Sequence, residues 1–228
     1  MKNPTGSRPV EKIVSSVVGR RRGGMQPSNT SKEMFGKEAP VWSFLERFGG
    51  PANPLEPAAG TLVFETYPVL AMISLGWSLA DSRLRGRLPK YNPLKKIFSI
   101  DDWQHVCGLA SAEFWGRELR EIAEWINDAA QKAAPNKSDQ DKLDACICLL
   151  VALYWVEGGC CLMVGDQQTG YIVVPYSDEI HRELDARCDL IPLPRSDWGA
   201  SSDVINLAST HLPAFGDADA FSTSSAIP

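Results

Sequence analysis

The chain has 228 residues, with 23 Lys+Arg against 28 Asp+Glu and a formal net charge of −5. At 44% hydrophobic and 22% charged it lies near globular averages, which excludes a wholly disordered or fibrous protein. Its longest apolar run, Ala145 to Val156, is 12 residues, well short of the roughly 20 that a membrane-spanning helix needs. No membrane partner is expected, and Lys2 has no apolar stretch behind it that would make a secretory signal.

Taken in chain order, Ser7 is a candidate N-cap, and Val10, Ile13, Val14, Val17 and Val18 recur at helical spacing up to Gly19. The basic run Arg20, Arg21, Arg22 opens a Gly/Pro/Ser/Asn loop to about Thr30. Val41, Trp42, Phe44, Leu45 and Phe48 predict a second short helix, closed by Gly49-Gly50, and the proline-bearing stretch from Pro51 to Gly60 reads as a connector. Thr61 to Thr66 (TLVFET) reads as a short buried strand ending near Glu65. A mixed segment with Arg83, Arg85, Arg87, Lys90, Lys95 and Lys96 follows.

Ser99 with Asp102 forms a capping box that opens a helix at about Ile100, with a helical apolar stripe running on to about Ala134. Ser138 with Asp141 predicts a second such box and a helix to about Val156, stopped by Gly158-Gly159. Cys160–Val164 and Tyr171–Val174 read as strands, either a hairpin or two strands at a sheet edge. Residues 1–195 make one domain. Residues 196–228 are Ser/Ala/Asp-rich and aperiodic, which predicts a flexible tail.

The six cysteines show no C-x-x-C pair, so buried reduced thiols in a cytoplasmic protein are expected. Charge is unevenly spread. Residues 1–100 carry 15 Lys+Arg and 7 Asp+Glu, and residues 101–228 carry 8 and 21. The plainer consequence is attraction between the two halves within the fold. The other is a basic surface for a polyanion, with counterion release supplying the affinity.

The acidic constellation of interest is Glu65 with Asp141 and Asp144. Glu65 closes the expected strand, and Asp141 and Asp144 are three apart on one helix face. Converging carboxylates form a hard, oxygen-rich site suited to magnesium or manganese. Such a metal can activate water in phosphodiester cleavage. Against this, Asp141 at N3 is an ordinary helix cap. Asp144 and Glu65 border apolar runs, where a buried charge needs a partner. His105, His181 and His211 have no ligand or triad spacing.

The strings FETYP (64–68), RLPKY (87–91), DKLDA (141–145) and GDQQTGYIVVP (165–175), with NPTGSRPVE (3–11) and PSN (27–29), occur in one order along the chain. Together they resemble the signature stretches of a family of predicted RNase H-like nucleases. The resemblance spans about residues 3–175. It implies an α/β fold with an RNase H-like core, a mixed sheet flanked by helices. It also implies metal-dependent nuclease activity, with Glu65, Asp141 and Asp144 as catalytic carboxylates and Glu65 and Asp144 as ligands of Mg or Mn. The family has an Asp-bearing strand ahead of the Asn-x-Thr-Gly-x-Arg stretch, whereas here Asn3 follows Met1 by two residues. The expectation is therefore an N-terminally incomplete core with weak or absent activity, the alternative being a non-catalytic nucleic-acid- or protein-binding remnant. Arg20, Arg21, Arg22, Arg87 and Lys90 are the expected nucleic-acid contacts.

Overall fold

The computed structural model describes residues 6–29, 31–49, 53–54, 63–81, 86–190 and 205–207. Helix α1 (Pro9–Arg20) buries the expected stripe of Val10, Ile13, Val14, Val17 and Val18. Its N-terminus is closed at Arg8 rather than Ser7: the Glu11 carboxylate, at the third helical position, reaches back to accept from the Arg8 backbone N–H at 2.8 Å, the reciprocal arm of a capping box. Helix α2 (Pro40–Glu46) is short, as its spacing predicts, and none of its residues is buried.

The expected strand from Thr61 does not form. Thr61 and Leu62 lie outside the described residues, and Val63–Tyr67 runs outside any helix or strand. One ladder-like bond survives, from the Val173 N–H to the Glu65 carbonyl at 2.8 Å. Pro68 explains the brevity: it takes the first position of α3 (Pro68–Ser74), so Tyr67 is already a helix cap. This third helix was not evident in the sequence. It is buried through Leu70, Ala71, Met72, Ile73 and Ser74, and the Ser74 hydroxyl donates to the Pro175 carbonyl.

The apolar stripe from Ile100 is two helices, α4 (Ile100–Gly116) and α5 (Arg120–Ala130). The break comes at Glu118, whose φ of +60° lies in the left-handed region and turns the chain back on itself. The helices then pack against each other, with the Trp103 indole N–H donating to the Ala129 carbonyl at 3.0 Å and the Ser111 hydroxyl to the Ala123 carbonyl at 3.2 Å. Helix α6 (Lys137–Val156) begins two residues before the expected box. Asn136 accepts from the Asp139 N–H while Asp139 accepts from the Asn136 N–H. Among the tryptophans of α4, α5 and α6, Trp103 and Trp155 are buried, Trp125 is half-buried, and Trp115 stands exposed.

The sheet has order β2-β1-β3, antiparallel throughout. Strands β1 (Cys161–Asp166) and β2 (Gly170–Pro175) form a hairpin in which Leu162 faces Val174 and Val164 faces Ile172. The Asp166 carboxylate closes its turn by accepting from the Gln168 and Thr169 N–H groups at 2.7 and 2.8 Å. Strand β3 (Ile205–Leu207) pairs with β1, so three residues of the expected tail are tied to the sheet; the rest of 196–228 lies outside the described residues. The coarse expectation of a mixed helix-and-strand fold holds. Among the described residues no helix is long and apolar enough to cross a membrane. None of the six cysteines forms a disulfide.

Helix α7 (Asp178–Leu190) packs against α1, and Arg21 joins the two. Its guanidinium reaches Glu179 at 2.8 Å and Glu183 at 2.7 Å, with the residue only 1% exposed. Removing one partner of a buried ion pair leaves the other charge stranded, at a cost of roughly 3–5 kcal/mol. Arg21→Ala is therefore expected to lower unfolding free energy on that scale, while exposed Arg20→Ala stays within about 0.5 kcal/mol. Urea unfolding of both variants checks this; similar losses from the two would refute the internal role of Arg21.

Candidate functional site

Glu65 is placed by the bond between its carbonyl and β2, and its carboxylate is fully engaged. Arg8 donates to it through both terminal nitrogens, Nη1 at 2.7 Å and Nη2 on the other oxygen. Arg8 also donates from Nε to Glu11 at 2.9 Å, and the Ser28 N–H donates to the same Glu11 oxygen at 2.7 Å. The guanidinium is nearly closed from solvent, its side chain 5% exposed. Burial works against its charge, but the two glutamates more than offset that and raise its pKa. Tyr171, close enough to feel Glu65, has its phenol pushed up to about 12, mainly by burial.

Asp144, in the second turn of α6, is half-buried. It accepts from the Tyr91 hydroxyl at 2.7 Å and from the Gln140 side-chain amide at 3.1 Å. Desolvation pushes its pKa up to about 6, against the lowering effect of Tyr91, Lys137 and Gln140. The negative charge in turn raises the phenols of Tyr91 and Tyr67, each already raised by burial. Tyr67 donates to the Gly24 carbonyl at 2.7 Å, so the loop after α1, the segment after Glu65 and the first turns of α6 meet around this acid.

Asp141 turns the other way. It is exposed and pairs with Lys137 one helical turn back. Among the described residues, no group of three or more His, Cys, Asp or Glu side chains gathers as a metal site would require. Glu65 answers to Arg8, Asp144 to Tyr91 and Gln140, and Asp141 to Lys137.

The five basic candidates also separate. Arg21 is withdrawn from any surface by its burial between Glu179 and Glu183, which corrects its expected role as a phosphate contact. Arg20 lines a cleft with Glu179, Arg182 and Arg187. Arg22, Arg87 and Lys90 do converge. The Lys90 ammonium donates to the Arg22 carbonyl at 2.5 Å, and its pKa is lowered by burial and then by Arg87 and Arg22. Arg87 itself is forked onto Asp102 at 2.5 and 3.0 Å.

Three residues of this site escaped sequence reasoning: Arg8, Tyr91 and Gln140. Gln140 was within reach, because a residue four before Asp144 shares its helix face. Arg8 and Tyr91 meet their acids across 57 and 53 residues, and no local pattern encodes such contacts.

A helical chain with a small antiparallel sheet and a half-buried, tyrosine-held aspartate is thereby defined, with a cationic cluster on the segment that carries the tyrosine. The family model described as "Protein of unknown function (DUF429)" matches residues 1–169, and the chain belongs to that family. No curated protein and no solved structure matches it.

The raised pKa of Asp144 gives a signed prediction. The folded state holds this proton more tightly than the unfolded chain, so the stabilisation is full below about pH 4 and is lost as pH rises through about 6. Asp144→Asn keeps an acceptor for Tyr91 and removes the charge. It should be more stable than the parent at pH 8 by about 1–3 kcal/mol, since each tenfold change in proton affinity is worth about 1.4 kcal/mol, with the gap closing toward pH 4. Paired denaturation curves across that range check it; a gap independent of pH would show that Asp144 does not titrate there.

Proposed function

We propose that this chain is a nucleic-acid-directed protein of RNase H-like type, in which metal-dependent phosphodiester hydrolysis is the class activity and binding is what its present arrangement favours. The observation that carries the reading is the adjacency of Lys90 and Tyr91. Lys90 belongs to the cationic cluster with Arg22 and Arg87, while Tyr91 holds the half-buried Asp144. A polyanion drawn to the cluster would meet the segment whose next residue, Tyr91, holds an acid of the kind such a site uses. Lys and Arg near phosphates gain affinity by releasing condensed counterions, and they do so without reading sequence.

Glu65 and Asp144 are the proposed ligands of a magnesium or manganese ion, with Asp141 outside or at its edge. That ion would supply a Lewis acid and a lowered water pKa. The donors as arranged do not fit it. Both Glu65 oxygens are committed to Arg8, Asp144 is committed to Tyr91 and Gln140, and Asp141 faces away with Lys137. Hydrolysis is accordingly expected to be weak or absent. A purely non-catalytic binding protein is the second reading, favoured by the Arg8–Glu65 pair.

Fluorescence anisotropy with labelled single-stranded RNA and DNA tests the binding. Affinity should fall steeply between about 50 and 200 mM salt and should drop in Arg22→Ser and Lys90→Ser but not in Arg20→Ser. Affinity indifferent to salt or to both substitutions would remove the surface assignment. Gel-based cleavage with added magnesium or manganese separates the two readings. Cleavage lost in Asp144→Asn favours the nuclease, and binding without cleavage favours the second reading.

A further inference from the structure

We infer that Arg8 is a built-in cation that competes with divalent metal for Glu65, and so sets the metal affinity of this site. The inference rests on the reading that Glu65 is a metal ligand, and adds what controls it. Three observations converge on Arg8. Its two terminal nitrogens cover both oxygens of Glu65, the fork-on-fork geometry that makes Arg–carboxylate pairs strong. Its third nitrogen is anchored on Glu11, which the Ser28 backbone N–H holds in turn, so the guanidinium is fixed and not merely swung onto Glu65. The hairpin also leaves room for it: a Cβ on Gly170 would stand 2.6 Å from Arg8 Nη1, and Gly170 has a φ of +110° that other residues rarely adopt. The positive charge that two carboxylates require is thus supplied by the chain itself, at the atoms where an ion would coordinate.

A cation of this kind has a defined consequence. An incoming Mg or Mn ion must displace two charge-assisted hydrogen bonds from Glu65 before it gains a bond, whereas a chain lacking the guanidinium presents a free carboxylate. Arg8→Gln should therefore bind manganese more tightly than the parent by about tenfold or more. Arg8→Lys should fall between them, since an ammonium keeps the charge without the fork.

The test is a manganese titration of the purified full chain and its variants. It is followed by thermal unfolding, which rises with any ligand bound only by the folded state, and by the free-manganese electron paramagnetic resonance signal. The expected result is little binding by the parent, a gain in Arg8→Gln, and loss of that gain in Arg8→Gln/Glu65→Gln. No gain in Arg8→Gln, or a gain that persists without Glu65, overturns the inference. Should Arg8→Gln fail to fold, Arg8→Lys carries the same comparison. On the unmodified chain, tight manganese binding that is abolished by Glu65→Gln would overturn it directly. A gain that needs Glu65 but survives Asp144→Asn supports the role of Arg8 while striking Asp144 from the ligand set. RNA and DNA binding is measured separately without metal, so failure of the nucleic-acid reading is told apart from failure of this one.

Discussion

The Arg8 guanidinium is the contact on which the surrounding structure depends. It sits at the N-terminus of α1 and binds Glu11 in the first turn of that helix and Glu65 in the segment before α3. Through Glu11 it also fixes the loop at Ser28. An arginine this buried is tolerated only because each of its three side-chain nitrogens donates to an ionised carboxylate, for an unpaired charge in such a place would cost several kcal/mol. The same requirement explains the hairpin tip. Gly165 faces Tyr171 and Gly170 faces Asp166 in the register, and a Cβ on Gly165 would come within 2.3 Å of the Gly170 carbonyl and 3.1 Å of Val10. The two glycines let the hairpin close down on α1 and on the arginine at its head.

Part of the uneven charge along the chain is an internal matter. Arg21, from the basic half, meets Glu179 and Glu183 from the acidic half, and Arg87 meets Asp102. These pairs bridge the two halves, which is the plainer of the two consequences the charge distribution allows. The arginine triplet shows how little a run of like residues says about shared purpose. Successive positions at the end of α1 point about 100° apart around the helix axis, so Arg21 turns into the α1–α7 interface while Arg20 and Arg22 do not. Arg22 also adopts a φ of +57° as the helix ends, which re-aims the chain toward Lys90.

The sequence discloses elements whose period is unbroken and whose signals are local. The valine stripe of α1, the Ser99 cap that accepts from the Asp102 N–H at 3.3 Å, the body of α6 and the β1–β2 hairpin all follow from spacing and turn chemistry. It misleads where a competing local feature wins. Asn136 caps α6 ahead of Ser138 because its side chain and that of Asp139 satisfy each other's backbone N–H. The α4–α5 turn depends on a left-handed Glu118, a conformation that no glutamate advertises. Helix α3 is hidden because its run of buried apolar residues has no polar face to reveal a period. For the site, Glu65 and Asp144 stand out as acids beside apolar runs, but their partners come from more than fifty residues away. The sequence can thus mark a buried charge without telling which cation or hydroxyl answers it.

The segment from Arg87 to Tyr91 shows how a surface and a buried acid come to be fixed together. Asp102, in the first turn of α4, accepts from Arg87 at 2.5 and 3.0 Å and from the Lys90 N–H at 2.6 Å, and its carboxyl is held below the usual range chiefly by Arg87. The Ser99 N–H donates to the Lys90 carbonyl at 2.8 Å. Because Asp102 spends its oxygens on Arg87 and Lys90, only one arm of the capping box at Ser99 forms, the Asp102 N–H donating to the Ser99 hydroxyl oxygen. The start of α4 therefore clamps the backbone of Lys90 at both its N–H and its carbonyl. With that residue pinned, Leu88 and Tyr91 stay buried while the Lys90 ammonium reaches Arg22 and the Tyr91 hydroxyl reaches Asp144. Displacing this short segment would move the cationic cluster and the hydrogen-bond donor of Asp144 at once, so the two are coupled by covalent adjacency under a common clamp.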